Sequence, residues 1–152
     1  MKTLIIYVSY HHKNTEKISR YMGKVLKARV VDHREIKPRD VIKYDLIGFG
    51  AGIYYWKHHK YLIDFVDQVP KVKNKKAFIF STRGIGPLWY YHRVLRRQLK
   101  TRNFKVVHDF SFKCWDTAGP FRVFGGLNKG RPDKRDFKRA GEIAKEIIKR
   151  VQ

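Results

Sequence analysis

Side chains with chemistry to offer gather in four short stretches. The first reads Ser9-Tyr10-His11-His12-Lys13-Asn14-Thr15 and follows the apolar run Leu4-Ile5-Ile6-Tyr7-Val8. A polar loop leading from a strand into a helix offers unpaired backbone N–H groups and the positive end of the helix dipole, a combination that attracts phosphate. Ser9, Asn14 and Thr15 add donors and Lys13 adds charge. With no ligand, the same residues serve to start a helix, capped by Asn14 or Thr15. The loop is not a Walker A sequence, because no glycine precedes a Lys-Ser or Lys-Thr pair. The second stretch, Gly50 to Lys57, holds Tyr54-Tyr55-Trp56; the third, Ser81-Thr82-Arg83-Gly84-Ile85-Gly86-Pro87, is followed by Trp89-Tyr90-Tyr91. The fourth opens with Cys114-Trp115-Asp116 and runs to Arg131.

Three other readings of these residues carry less. The pairs His11-His12 and His58-His59 suggest a metal, but adjacent imidazoles do not converge and no cysteine or carboxylate completes a ligand set. Cys114, the only cysteine, reads as a small residue near a strand end rather than a reactive thiol. Gly84-x-Gly86 lacks the third glycine of a dinucleotide fingerprint.

The elements between these stretches decide where they meet. Residues 4–8, 28–32, 45–50, 76–81 and 104–113 read as strands; the apolar, β-branched ones are continuous runs, as in strands buried on both faces. Helical spacing appears at 15–27 (Ile18, Met22, Val25, Leu26), at 58–69 (Leu62, Phe65, Val66, Val69), at 86–101 behind Pro87, and at 133–151. Residues 37–43 hold one possible turn behind Pro38. Tyr91 shares a face with Leu88, Leu95 and Leu99 and so belongs to the core. Strand and helix alternate without repeats or linkers, which predicts one α/β domain over 1–152, a parallel sheet covered by helices on both faces. Such sheets bind ligands beyond the carboxyl ends of their strands, and the four stretches all fall there.

Composition frames the partners. The chain has 152 residues, 35 Lys plus Arg against 13 Asp plus Glu, and a formal charge of +22. With 43% hydrophobic residues and 10 Phe, 9 Tyr and 3 Trp it is a folding sequence rather than a basic tail. No apolar run reaches the ~20 residues of a membrane helix, and Met1 to Val8 has too short an apolar region for a signal peptide, so a cytoplasmic protein is expected. From Lys71 to Lys105 every charge is positive. Arg93, Arg96, Arg97 and Lys100 share one helical face, which suits an anionic partner. The last helix mixes Glu142 and Glu146 with Lys145, Lys149 and Arg150 and reads as a solvated surface.

Taken whole, the chain resembles the flavodoxin family. The resemblance rests on Ser9-x-His11-His12-x-Asn14-Thr15-Glu16-Lys17-Ile18, on Tyr44 to Tyr54 around the third strand, on Phe78 to Gly84, and on Asp116-Thr117-x-Gly119-Pro120 with Asn128-Lys129-Gly130-x-Pro132-Asp133. It implies a doubly wound five-stranded parallel sheet of order 2-1-3-4-5 with FMN where the strand order reverses. It also implies that Ser9, Tyr10, His11, His12, Lys13, Asn14 and Thr15 surround the phosphate. Ala51, Gly52, Ile53, Tyr54 and Tyr55 would lie along the flavin ring, with Ser81, Thr82, Arg83 and Gly84 approaching from another side and Trp115 and Asp116 from the last loop. Lys13 stands where many relatives place a glycine, and the first loop is one residue longer than the commonest pattern. An aromatic face can stack on a flavin, with Tyr54 or Tyr55 the better ring candidate.

What the resemblance implies for function is an electron-transfer protein whose flavin cycles between oxidised, semiquinone and hydroquinone states. The alternatives are a flavin oxidoreductase similar to the flavodoxin-type protoporphyrinogen oxidases, or a basic module that has lost FMN and binds nucleic acid. Members of the family are mostly acidic. Lys57, Arg83, Lys113 and Arg122 at the flavin end would favour the anionic reduced flavin and a less negative potential. The charge points to an acidic redox partner, with an anionic membrane surface as the other polyanion to consider.

Overall fold

The computed structural model describes residues 1–10, 12–54, 57–83, 86–115, 125–126 and 128–152. Its elements are β1 (Thr3–Val8), α1 (Asn14–Leu26), β2 (Arg29–Asp32), β3 (Leu46–Tyr54), β4 (Lys57–His58), α2 (Lys60–Asp67), β5 (Lys76–Arg83), α3 (Leu88–Thr101), β6 (Lys105–Lys113) and α4 (Lys134–Val151). Short 3-10 turns at His33–Glu35 and Pro38–Lys43 link β2 to β3. Strands β2-β1-β3-β5-β6 lie side by side in parallel, the order expected for five strands, and β4 adds a short antiparallel pairing to the end of β3.

The sheet separates two apolar layers. On one side Leu62, Phe65 and Val66 of α2 and Leu95 and Leu99 of α3 pack over Ile6, Ile47 and Ile79. On the other, Ile18, Met22 and Leu26 of α1 and Ala140, Ala144 and Ile147 of α4 pack over Ile5, Phe78 and Phe80. The fully buried strands explain why β1 reads as an unbroken apolar run rather than an alternating one. Two glycines of β3 make room for aromatic rings. A Cβ on Gly48 would lie 2.2 Å from Phe78 Cζ, and one on Gly50 would lie 2.1 Å from Phe80 Cζ. Those rings continue into Phe110, whose centroid is 5.7 Å from that of Phe80 at 9°.

Several boundaries differ from the sequence reading, among them the starts of α2 at Lys60, behind the strand Lys57–His58, and of α3 at Leu88, behind its cap Pro87; three others have a clear local reason. β3 runs to Tyr54 instead of stopping at Gly50, because both neighbours keep pairing with it: Val8 with Ala51, and Ser81 and Thr82 with Ala51 and Gly52. β5 likewise extends to Arg83, held by the pairs Thr82 with Phe112 and Arg83 with Lys113. Ala51 to Tyr54 and Ser81 to Arg83 are therefore strand residues, not loop residues. Helix α1 begins at Asn14 with Lys13 in the cap position, so neither Asn14 nor Thr15 is the cap.

Among the described residues no helix is long and apolar enough to cross a membrane. Tyr91, placed in the core from its spacing, is 2% exposed. Asp133 starts α4 by accepting from the N–H groups of Arg135 and Asp136, while Asp136 returns a bond to the Asp133 N–H, which is a capping box.

Candidate functional site

Past the carboxyl end of β1 the chain turns at Lys13 and enters α1. Lys13 makes that turn with φ 55° and ψ 30°, the left-handed conformation that a glycine takes without strain. With no side-chain cap on Lys13, the first turn finds another acceptor: Ser9 Oγ receives the Glu16 N–H at 3.2 Å. The remaining N–H groups of that turn have no acceptor within the helix.

Thr15 is buried and shares a 2.8 Å hydroxyl hydrogen bond with Thr82 on β5, which ties the first loop to the third stretch. Asn14 Nδ2 donates to the Trp115 carbonyl at 2.8 Å, which ties it to the fourth. The Asn14 Oδ1 is buried and has no hydrogen-bond partner, an acceptor open to a hydroxyl or N–H donor. His12 stacks on the Trp115 indole, centroids 3.7 Å apart at 17°. Trp115 is held in turn: its backbone N–H donates to Arg131 O at 3.1 Å and its Nε1 to Gly125 O at 2.9 Å. Arg131 pairs with the buried Asp136 of α4.

Opposite, the end of β3 carries an aromatic group. Tyr10 stacks on His59 at 4.9 Å, Tyr54 meets His59 edge-on at 4.9 Å, and Tyr61 lies 4.9 Å from the same imidazole. The Gly52 carbonyl accepts from the His59 N–H at 2.9 Å. Tyr10 thus leans toward β3 and α2 rather than curling over the α1 N-terminus. Gly52, Ile53 and Tyr54 are half-buried, whereas Ala51 is fully buried in the core. Arg83 Nε donates to Ser111 Oγ at 2.6 Å, and its Nη1 bonds the Gly86 carbonyl. His11, Tyr55, Gly84 and Asp116 lie outside the described residues, as does Arg122.

Beneath this end sits a closed polar cluster that sequence reasoning missed. His58 and His92 are both 0% exposed, with ring centroids 4.6 Å apart. His58 Nε2 bonds the Phe80 carbonyl at 3.1 Å, and His92 Nε2 bonds Ser81 Oγ at 2.7 Å. His92 Nδ1 stands 3.9 Å from Asp109 Oδ2, beyond hydrogen-bond reach, and that carboxylate is paired with Arg96. Burial lowers both imidazoles: His58 well below its usual value, helped by the neighbouring His92, and His92 to about 3, helped by Arg96 and Arg83. Ser81, expected to face the flavin, is sealed in this cluster. Nothing in the sequence set His58 apart from the exposed-looking pair it belongs to. His92 could have been found, because it follows Tyr91 on the inward face of its helix.

Cys114 is 1% exposed, and burial pushes its thiol up to about 12. Of the four cations on the outer face of α3, Arg96 is bound to Asp109 and Arg93 lies 4.3 Å above the Tyr90 ring. Arg97 and Lys100 are exposed.

A parallel sheet of order β2-β1-β3-β5-β6 with helices on both faces defines the flavodoxin-like class. The chain belongs to the flavodoxin-domain family, whose model matches residues 4–126. It is 47% identical over 150 residues to an uncharacterized protein of Methanocaldococcus jannaschii, covering 98% of this chain and 99% of that one. Among solved structures it is similar to oxidised flavodoxin 1 of Bacillus cereus, with a TM-score of 0.74 and 20% identity over 98% of each chain. It is also similar to a Fusobacterium nucleatum flavodoxin bound to flavin mononucleotide, with a TM-score of 0.69 and 15% identity over 100% of each chain.

Proposed function

We propose that the protein binds FMN across the carboxyl ends of β1, β3 and β5 and carries electrons between other proteins. The observation that carries this reading is the first loop, whose polar groups are tied to the third and fourth stretches while an acceptor and helix N–H groups of its own stay open. The α1 N-terminus supplies N–H groups for a phosphate. Ser9 and Thr15 flank it, and the unpaired Asn14 Oδ1 suits a ribityl hydroxyl. The half-buried end of β3, with Tyr54 and the His59 ring group, is the surface available to an isoalloxazine. These residues fit the cofactor in chemistry and in place.

Bound there, FMN supplies one- and two-electron redox chemistry; the protein sets its potential and its access to partners. Lys57 and Lys113 are exposed at this end and Arg83 is half-buried beside it. Their charge favours an anionic reduced cofactor, so the reduction potential should be less negative than that of acidic flavodoxins. An acidic redox partner is the natural complement of a +22 chain. The test is a visible spectrum with flavin extraction on freshly purified protein, followed by titration of the apoprotein with FMN. A stoichiometric, extractable FMN supports the reading. A colourless protein that fails to take up FMN overturns it. A redox titration then checks the sign of the potential shift.

A further inference from the structure

A groove of about 720 Å³ runs between α1 and α4, away from the sheet ends. Its floor is apolar: Tyr21, Val25, Phe137 and Gly141. Tyr21 is 38% exposed, and its ring packs against Phe137 with centroids 5.3 Å apart. Gly141 keeps the floor low, since a Cβ there would already lie 3.4 Å from Tyr21 Cε1.

The rims are cationic. Lys17, Arg20 and Lys24 line one side, and Lys134, Lys138 and Lys145 the other. Arg20 is occupied by Glu16, at 2.8 Å. The five lysines make no ion pair among the described residues, and Glu142 is the one carboxylate that lines the groove. The arrangement is not a by-product of mixed charge on α4. Glu146 turns to the other side of that helix, where it meets Arg150 at 2.5 Å and His108 at 3.5 Å. The exposed face of the helix is mixed, as its sequence implied, with Glu142 between Lys138 and Lys145, but lysines outnumber the single carboxylate on the groove side. Lysines 134, 138 and 145 fall at helical spacing on the side facing α1. Lys134 and Lys138 are like charges four residues apart and repel, and the single Glu142 offsets only part of the rim charge, so the set gains from an anionic occupant.

The geometry points to a docking groove for an acidic amphipathic segment of a partner protein, with one large apolar side chain seated between Tyr21 and Phe137 and carboxylates meeting the lysine rims. A protein segment fits better than other polyanions for two reasons. The apolar floor is recessed between the rims, so a flat lipid surface would reach the lysines and leave the floor wet. A phosphodiester backbone matches the charge but supplies no aliphatic or aromatic side chain to the floor. Helix α1, 13 residues and about 20 Å long, offers room for some three turns of helix laid alongside. This inference does not depend on the cofactor, and the same binding is expected with and without FMN.

A displayed library of random 16-residue peptides, selected on the full-length protein at low salt, supplies the probes. Recovered peptides are titrated by fluorescence anisotropy against the protein, the double variant Lys24→Glu/Lys138→Glu, the floor variant Tyr21→Ser and the control Arg93→Glu/Arg97→Glu on α3. The expected peptides carry several acids around an aromatic or leucine. They lose at least tenfold in affinity with the groove charge variant, several-fold with Tyr21→Ser, and less than twofold with the α3 control. Peptides that follow the α3 control, peptides indifferent to Tyr21→Ser, or the recovery of no acidic peptide would each overturn the proposal. So would phosphatidylglycerol vesicles or a single-stranded oligonucleotide showing that same pattern of losses where peptides do not.

Discussion

Two polar clusters share one end of the sheet and use much the same side chains, yet they are opposite in character. Around the first loop, Ser9, Asn14 and Thr15 bond to neighbouring loops and strands while an acceptor and several helix N–H groups remain open. Beneath β4 and α3, Ser81, His58 and His92 are wholly buried and bond to one another or to the Phe80 carbonyl. A serine, a histidine and a carboxylate in sequence would suggest nucleophilic catalysis. Here Ser81 has no access to a substrate, and Asp109 is committed to Arg96. Residue type does not separate binding from scaffolding. The place of the open capacity does: Asn14 Oδ1 lies at the strand ends beside a helix N-terminus, whereas the unpaired Nδ1 atoms of His58 and His92 are enclosed by the core.

The sharpest way to part the two clusters is acid. An imidazole whose folded value lies below its unfolded one binds its proton more readily in the unfolded chain. Stability is therefore whole above the unfolded value and falls as the pH drops below it, until the folded value is reached. For His92 that window runs from its ordinary 6.5 down to about 3. Each pH unit within it costs about 1.4 kcal/mol, so moving from pH 7 to pH 4 should remove roughly 3 kcal/mol. His58 adds to the loss in the same direction. Urea unfolding midpoints across this range check it; His92→Gln should flatten the profile, and an unchanged profile in that variant would assign the loss elsewhere.

Next in size is His58→Leu. It leaves the Phe80 carbonyl without its buried donor and frees the β3–β4 corner, at a cost of about 1–3 kcal/mol. Thermal unfolding should show this drop while FMN affinity of the folded fraction changes little. Ser9→Ala should behave in the reverse way. Losing the acceptor for Glu16 N–H costs no more than about 1 kcal/mol of stability. FMN affinity, followed by quenching of flavin fluorescence, should fall about tenfold, equivalent to ~1.4 kcal/mol. Equal losses of stability and affinity in both variants would erase the distinction between the clusters. The smallest effect is expected from Lys13→Gly. Relief of a left-handed lysine should offset the flexibility gained in the unfolded chain, for a net change under about 1 kcal/mol in thermal stability.

The strands themselves were legible because buried parallel strands demand continuous apolar runs, and Leu4 to Val8 or Phe78 to Phe80 can form little else, whereas their order in the sheet was implied only by the family resemblance. The far ends of β3 and β5 were not legible, because Gly50-Ala51-Gly52 and Ser81-Thr82-Arg83 look like loops until neighbouring strands pair with them. The same long-range pairing hid β4, whose partners Ile53 and Tyr54 had been assigned to a loop. In the site, the polar loop before α1 declared itself through residue type. Its bonds to Thr82 and Trp115 did not, since they join residues 67 and 101 positions apart. The cationic groove depended on which helix lay beside α4, since Lys17 and Lys24 come from α1, and a single-helix projection cannot contain that.

The chain's single sulfhydryl is sealed at the end of β6 and remains protonated far into alkaline solution, so it is a poor nucleophile toward maleimides and a poor partner for intermolecular oxidation. A cysteine introduced at Arg97 or at Lys145 would then be the sole site open to a dye or spin label, with Cys114 left in place. Either helix surface can be tagged one at a time on an otherwise native background, and the approach of a second molecule read directly at the chosen face.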